Sequence, residues 1–274
     1  MAINTLEVID LHVRIKDKEI IKGVSFKLQT NEVVALVGPN GHGKSCLLLT
    51  IMGHPNYEVT NGEILFNGKD VLLLPVNERA KLGLFLAFQN PPEISGVANL
   101  DFYKSIVHDE SLKGFAKFYH AVNTNLKEVG LNEETSTREL NVGFSGGEKK
   151  RHELMQMLLL NPNFVMLDEI DSGLDVDAIS IVADIINKKK AEIGTLLISH
   201  YSRLFKSVSP TRALVLMNGK IVYDGDSTIL EDIDKNGFQD LGKRLKIRLE
   251  KTEAGRSDIM LGSCATKRTK KNDK

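Results

Sequence analysis

Residues 38–45 read Gly38-Pro39-Asn40-Gly41-His42-Gly43-Lys44-Ser45, the pattern G-x-x-x-x-G-K-[ST] without exception. Before it stands the apolar run Val33-Val34-Ala35-Leu36-Val37, as expected of a strand buried on both faces. After it, Leu47-Leu48-Leu49-Thr50-Ile51-Met52 reads as a helix. Strand, glycine-rich turn and helix in this order form a phosphate cradle. Backbone N–H groups wrap the phosphate oxygens, and the helix N-terminus adds positive partial charge. The spacing assigns Lys44 to the β- and γ-phosphates of a nucleotide and the Ser45 hydroxyl to Mg²⁺. Gly38, Pro39, Asn40, Gly41 and Gly43 supply the cradle's backbone; Cys46 opens the helix and packs or donates an amide. His42 either faces solvent or touches a phosphate, where it would add pH sensitivity near neutrality.

Working outward, Leu6 to Leu28 reads as short strands around a turn at Lys16-Asp17-Lys18. Asn67-Gly68 and Asn218-Gly219 each sit between apolar runs and signal hairpins, since both residue types tolerate positive φ. The stretch from about 90 to 137 is rich in Lys, Glu, Asn and aromatics. Its Phe115, Phe118, Tyr119 and Val122 fall at helical spacing, so it reads as a mostly helical insertion. A helix from about Glu148 to Leu160 follows, then a strand from Asn163 to Leu167. Val176 to Lys190 places Ile179, Val182, Ile185 and Ile186 on one helical face. Thr195 to Ser199 is another buried strand, ending at His200. Strands alternating with helices give an α/β fold with a mainly parallel sheet.

Phe164-Val165-Met166-Leu167-Asp168-Glu169 is an apolar strand ending in two acids. Ligands of parallel α/β sheets sit at the carboxyl ends of strands. Alternation along a strand points neighbouring side chains apart, so the two acids take different roles. Asp168 is the expected magnesium carboxylate and Glu169 the expected base for an attacking water.

A second cradle is visible at Phe144-Ser145-Gly146-Gly147-Glu148, where Ser145 can cap a helix whose first turns, Lys149-Lys150-Arg151-His152, are polar. One nucleotide does not need two cradles from one domain. A two-fold dimer resolves this, each Ser-Gly-Gly facing the γ-phosphate held by the other copy.

The order of motifs resembles the ABC ATPase family: the phosphate loop, Gln89, Ser145 to Glu148, Asp168-Glu169, Ser172-Gly173-Leu174-Asp175 and His200. The resemblance spans roughly residues 4–240. It implies the ABC ATPase fold: a P-loop core with a mainly parallel sheet, an antiparallel β subdomain and a helical subdomain at about residues 90–160. It implies ATP hydrolysis with Mg²⁺, held by Ser45, Asp168 and Gln89. It implies a Q-loop at Gln89, a signature at Ser145, Gly146, Gly147 and Glu148, a D-loop around Asp175 and a γ-phosphate switch at His200. Catalysis would then fall to Glu169, His200 and Lys44. Residues 87–97, 141–151 and 171–178 look more narrowly like SufC, the ABC-type ATPase family of Suf iron–sulfur cluster assembly. Transporter ATPases more often read Leu-Ser-Gly-Gly-Gln where this chain has Phe144 and Glu148. That likeness implies a scaffold partner of the SufB–SufD type and an ATP-dependent homodimer; a membrane transporter's nucleotide-binding subunit is the alternative. The best alignment puts Ile15 where ABC ATPases usually carry an adenine-stacking aromatic.

Composition fits this. Of 274 residues 42% are hydrophobic and 26% charged, with a formal net charge of zero, so global charge offers no argument for nucleic acid. Cys46 and Cys264 are the only cysteines, with no Cys-x-x-Cys pair, which suits a reducing cytoplasm and a chain without its own cluster site. The start, Met1-Ala2-Ile3-Asn4, lacks a signal peptide's regions, and the apolar runs fall far short of the roughly 18 residues of a membrane span. Residues 1–245 read as one domain. From 242 to 274 basic residues outnumber acidic ones by eleven to four, so 246–274 reads as a flexible basic tail or as a docking arm for an acidic partner or nucleic acid.

Overall fold

The computed structural model describes residues 3–107, 112, 114–200 and 202–250. Its centre is a six-stranded sheet built from β3 (Val33–Val37), β6 (Leu84–Ala87), β9 (Phe164–Asp168), β10 (Gly194–Ile198), β11 (Arg212–Met217) and β12 (Lys220–Gly225). The order across it is β12-β11-β3-β10-β9-β6. The pairs β6/β9, β9/β10, β10/β3 and β3/β11 are parallel, and only β12 runs antiparallel. Every residue of β3, β6, β9 and β10 is buried, which is why these strands are near-continuous apolar runs.

Alternate residues of those strands serve two cores. Val34, Leu36, Leu84, Leu86, Met166, Leu196 and Ile198 face an antiparallel sheet of order β2-β1-β4-β5. That sheet comprises β1 (Thr5–Ile15), β2 (Lys18–Gln29), β4 (Glu58–Phe66) and β5 (Lys69–Asp70); Leu47, Leu48 and Ile51 of α1 (Lys44–Met52) pack between the two layers. Val33, Ala35, Phe85, Val165, Leu167 and Leu197 face the other side, against α4 (Phe115–Glu128), α5 (Gly146–Leu160), α6 (Val176–Lys189) and α7 (Ser202–Val208). Both Asn-Gly pairs form the expected turns: Asn67 and Gly68 have φ of 50° and 78°, Asn218 and Gly219 of 50° and 79°.

Two local readings differ from the structure. β1 and β2 are single strands of 11 and 12 residues, not short ones. Their pairing shifts register between Val8 and Leu11, where Asp10 takes φ of 44°, and this bulge breaks the alternation that marks a long strand. The insertion contains α3 (Asn99–Ile106) and α4, but β7 (Ile94–Ala98) precedes them and pairs with β8 (Glu139–Leu140). After α8 (Ile229–Arg244), the partly buried Leu249 packs against the main core, Asn218 Nδ2 donates to the Arg248 carbonyl (2.9 Å), and the Glu250 N–H donates to Asn218 Oδ1 (3.1 Å). Residues 246–250 are therefore tied to the β11–β12 turn; the remainder of the expected tail, 251–274, lies outside the described residues. Among the described residues no helix is long and apolar enough to cross a membrane.

Candidate functional site

β3 delivers the chain to Gly38 at the carboxyl end of the parallel sheet. A side chain there is sterically barred: a Cβ on Gly38 would stand 2.1 Å from the Leu216 carbonyl oxygen of β11. Gly43 ends the loop with φ of 107°, and its Cβ would stand 2.8 Å from Ile21 Cδ1. α1 starts at Lys44, so its first-turn amides lack intrahelical partners by geometry. Its far end is fixed by the buried Arg79 of α2 (Val76–Lys81), which donates to the Thr50 and Ile51 carbonyls (3.0 and 2.7 Å).

The Lys44 ammonium is buried and donates to the Gly38 and Pro39 carbonyls (2.7 and 3.2 Å). Desolvation pulls its pKa down, and the charges of Glu169 and Asp168 oppose that pull. Asn40 and Gly41 are exposed, Pro39 and Ser45 half-buried. Cys46 is buried in the second core, where desolvation pushes its thiol up to about 12. His42 does not face solvent. It is buried, and Nδ1 accepts the Asn218 N–H at 2.9 Å. The imidazole thus braces the loop against the β11–β12 turn, and burial lowers its pKa.

Asp168 ends β9 at 5% exposure. Burial raises the acid's pKa, and the nearby Ser45 hydroxyl opposes that rise. Oδ1 is buried without a hydrogen-bond partner. A buried carboxylate oxygen without a donor, beside a hydroxyl oxygen, fits a hard divalent cation. Among the described residues no group of three His, Cys, Asp or Glu could cage a metal. An ion here must therefore complete its shell from amide, phosphate or water oxygens, as Mg²⁺ does.

Glu169 departs from the strand. Its φ is 49°, an uncommon left-handed conformation for a side-chain-bearing residue, so its direction is set by this turn and not by alternation. Its carboxylate meets His200 Nε2 at 3.2 Å and accepts from Gln89 Nε2 at 2.6 Å. The His200 hydrogen bond, then Gln89's, holds the carboxyl below its ordinary value despite burial. Behind them the Ser199 hydroxyl donates to buried Asp171, tying the segment before His200 to the one after Glu169.

Ser145 and Gly146 are exposed. Ser145 caps α5 in a reciprocal capping box: its Oγ accepts from the Glu148 N–H (3.2 Å), and Glu148 Oε2 accepts from the Ser145 N–H (2.8 Å). The Glu148 carboxylate is thus turned back onto the cap and onto Arg138 (3.3 Å). Gly147 lies beside Leu174. Asp175 caps α6 by accepting from the Ala178 N–H at 2.8 Å.

The first turns of α5 are polar in sequence, yet Lys150, His152 and Glu153 are buried. His152 Nε2 meets Tyr103 Oη at 2.5 Å and Nδ1 meets Asn141 Oδ1 at 2.7 Å, while Asn141 Nδ2 donates to the Pro92 carbonyl at 2.9 Å. With its amide nitrogen spent on Pro92, Asn141 presents an acceptor, so His152 carries its proton on Nδ1 and accepts from Tyr103. Burial lowers this imidazole from 6.5 to about 4. Its contribution to stability is therefore complete above the unfolded value and is lost as pH falls toward the folded one. Between about pH 7 and about pH 5, urea unfolding of a His152→Asn variant should lose about 2 kcal/mol less stability than the wild type. Equal losses would show that His152 does not take up a proton on unfolding.

A family model described as ABC transporter matches residues 21–172. A probable ABC transporter ATP-binding protein of Streptococcus pyogenes serotype M3 is 46% identical over 250 residues, covering 88% of this chain and 98% of that protein. Vegetative protein 296 of Bacillus subtilis is 45% identical over 255 residues, covering 91% and 98%. A bacterial Atm1-family ABC exporter with ATP bound shares the fold at a TM-score of 0.70 and 20% identity; the match covers 89% of this chain and 42% of the exporter's. A dimeric ATP-binding cassette bound to ADP and Pi matches at 0.69 and 18%, covering 81% of this chain and 98% of its own. The chain belongs to the ABC transporter family and is an ATP-binding ABC ATPase subunit.

Proposed function

We propose that the chain hydrolyses MgATP as the motor of an iron–sulfur cluster assembly complex, its ATP-driven dimerisation remodelling a scaffold of the SufB–SufD type. The carrying observation is the meeting of Gln89, Glu169 and His200 within hydrogen-bond reach, beside the Asp168–Ser45 pair. Lys44 and the loop amides bind the β- and γ-phosphates. Ser45, Asp168 and Gln89 would hold Mg²⁺, which would supply neutralisation of phosphate charge. Glu169 orients a water and takes its proton as the water oxygen bonds to the γ-phosphorus and the β–γ bridging bond breaks. ADP carries away the bridging oxygen's electrons, and His200 donates to the γ-phosphate.

The exposed Ser145 and Gly146 support a two-copy site: a capped helix N-terminus facing outward suits the γ-phosphate of a second copy. The segment Asn90 to Val97 and the signature's Phe144 and Glu148 favour cluster assembly. The name of the streptococcal relative favours a second reading, the nucleotide-binding subunit of a membrane transporter. Steady-state phosphate release from the purified chain tests the ATPase. Affinity purification from the native cell separates the readings: a scaffold recovered without detergent supports assembly, and an integral membrane permease overturns it. Sedimentation of Glu169→Gln with ATP should show a dimer, and monomers alone would refute the two-copy site.

A further inference from the structure

The first turns of α5 grip the Q-loop in a way the hydrolytic scheme does not use. β6 makes its last sheet pairing at Ala87, opposite Leu167, so the backbone polar groups of Phe88 need other partners. Two α5 side chains supply both. The Phe88 N–H donates to Glu153 Oε2 at 3.0 Å, and the Phe88 carbonyl accepts from Lys150 Nζ at 3.1 Å. Glu153 is 5% and Lys150 4% exposed. Burial raises the Glu153 carboxyl to about 7 and lowers the pKa of the Lys150 ammonium, a cost that an apolar pair filling the same space would avoid. What an apolar pair cannot do is hold a peptide by both its donor and its acceptor. Further along, Asn141 donates to the Pro92 carbonyl and Lys149 meets Glu93 at 2.6 Å, so α5 and the loop before it fix residues 88–93 from both ends. Gln89 lies inside this span and delivers Nε2 to Glu169.

We propose that Glu153 is a positioning residue for hydrolysis: by holding the Phe88 peptide to the helix that Ser145 caps, it sets Gln89 against Glu169. The inference rests on the ATPase reading above. It makes the Q-loop move with the signature helix, so a displacement of Ser145 reaches the hydrolytic carboxylate through Glu153, Phe88 and Gln89.

The test measures kcat and ATP affinity for the wild type, Glu153→Gln, and the double variant Lys150→Met/Glu153→Met, each with and without Gln89→Ala. Removing both side chains leaves no unpaired buried charge but frees the Phe88 N–H and carbonyl, so the double variant's urea midpoint is measured alongside its kinetics. In Glu153→Gln the new side-chain carbonyl can still accept from the Phe88 N–H, so kcat should stay within about threefold of wild type. The double methionine variant should lose about tenfold or more in kcat, with ATP affinity changed by less than about threefold. Gln89→Ala should cost the wild type about tenfold but the double methionine variant less than about twofold, because both act on one contact. Unchanged kcat in the double methionine variant, equal losses in Glu153→Gln, or multiplicative losses with Gln89→Ala would each overturn the proposal. If the double variant does not fold, Asn141→Ala frees the Pro92 end of the span and must show the same non-additivity; additive behaviour overturns the proposal. A wild-type chain that releases no phosphate would instead refute the ATPase reading.

Discussion

Glu169→Gln should retain MgATP binding while hydrolysis slows by about 10²–10⁴-fold, the usual scale for loss of a general base. The substitution conserves shape and removes only the charge and the proton-accepting capacity. Glu169 sits between two donors, Gln89 Nε2 and His200 Nε2. These hold it ionised well below neutrality, so the wild-type rate should not fall with a carboxylate's titration until pH drops beneath the ordinary carboxylate range. In the variant the amide must turn its carbonyl toward one donor and its nitrogen toward the other, which His200 can accommodate by changing tautomer. The turn at Glu169 should therefore survive, and the thermal midpoint should move little. The decisive measurement is single-turnover hydrolysis with prebound nucleotide, which separates chemistry from binding. Wild-type turnover in Glu169→Gln would remove Glu169 as the base and leave His200 as the remaining candidate.

The features visible before the structure were those written in consecutive residues. Val33 to Ser45 declares strand, loop and helix because each follows from local patterning and from glycines that only a close backbone approach requires. The buried runs of β9 and β10 end just before the candidate polar side chains, so Asp168, Glu169 and His200 could be placed at strand ends without tertiary information. What stayed hidden depends on contacts between distant residues. His42 has a free-standing look in its loop; its partner is a backbone amide 176 positions away. Lys150, His152 and Glu153 resemble solvated helix surface because α5 is enclosed on most sides, which erases the polar stripe that would have ordered them. The long strands looked short because a bulge at Asp10 interrupts their alternation. The left-handed turn at Glu169 has no sequence signal at all, and it is this turn that brings the carboxylate to Gln89 and His200.

Lys44→Ala should abolish ATP turnover and weaken ATP binding by about a hundredfold, close to 2.7 kcal/mol. Lys44 is buried beside two acids but makes its hydrogen bonds to the Gly38 and Pro39 carbonyls, neutral acceptors that compensate a desolvated ammonium poorly. Triphosphate oxygens are the stronger, charged acceptors, so the cation gains most when it turns to them. The same accounting says the nucleotide-free fold should not suffer: the variant loses two hydrogen bonds but also sheds a desolvated charge. Its urea midpoint without nucleotide should thus stay near the wild type's, while the rise in thermal midpoint that saturating MgATP gives the wild type should be absent at the same concentration. This pairing isolates phosphate binding from folding. A Lys44→Ala chain that is stabilised by ATP as strongly as the wild type would mean that the loop amides alone hold the nucleotide, and Lys44 would then be confined to the chemical step.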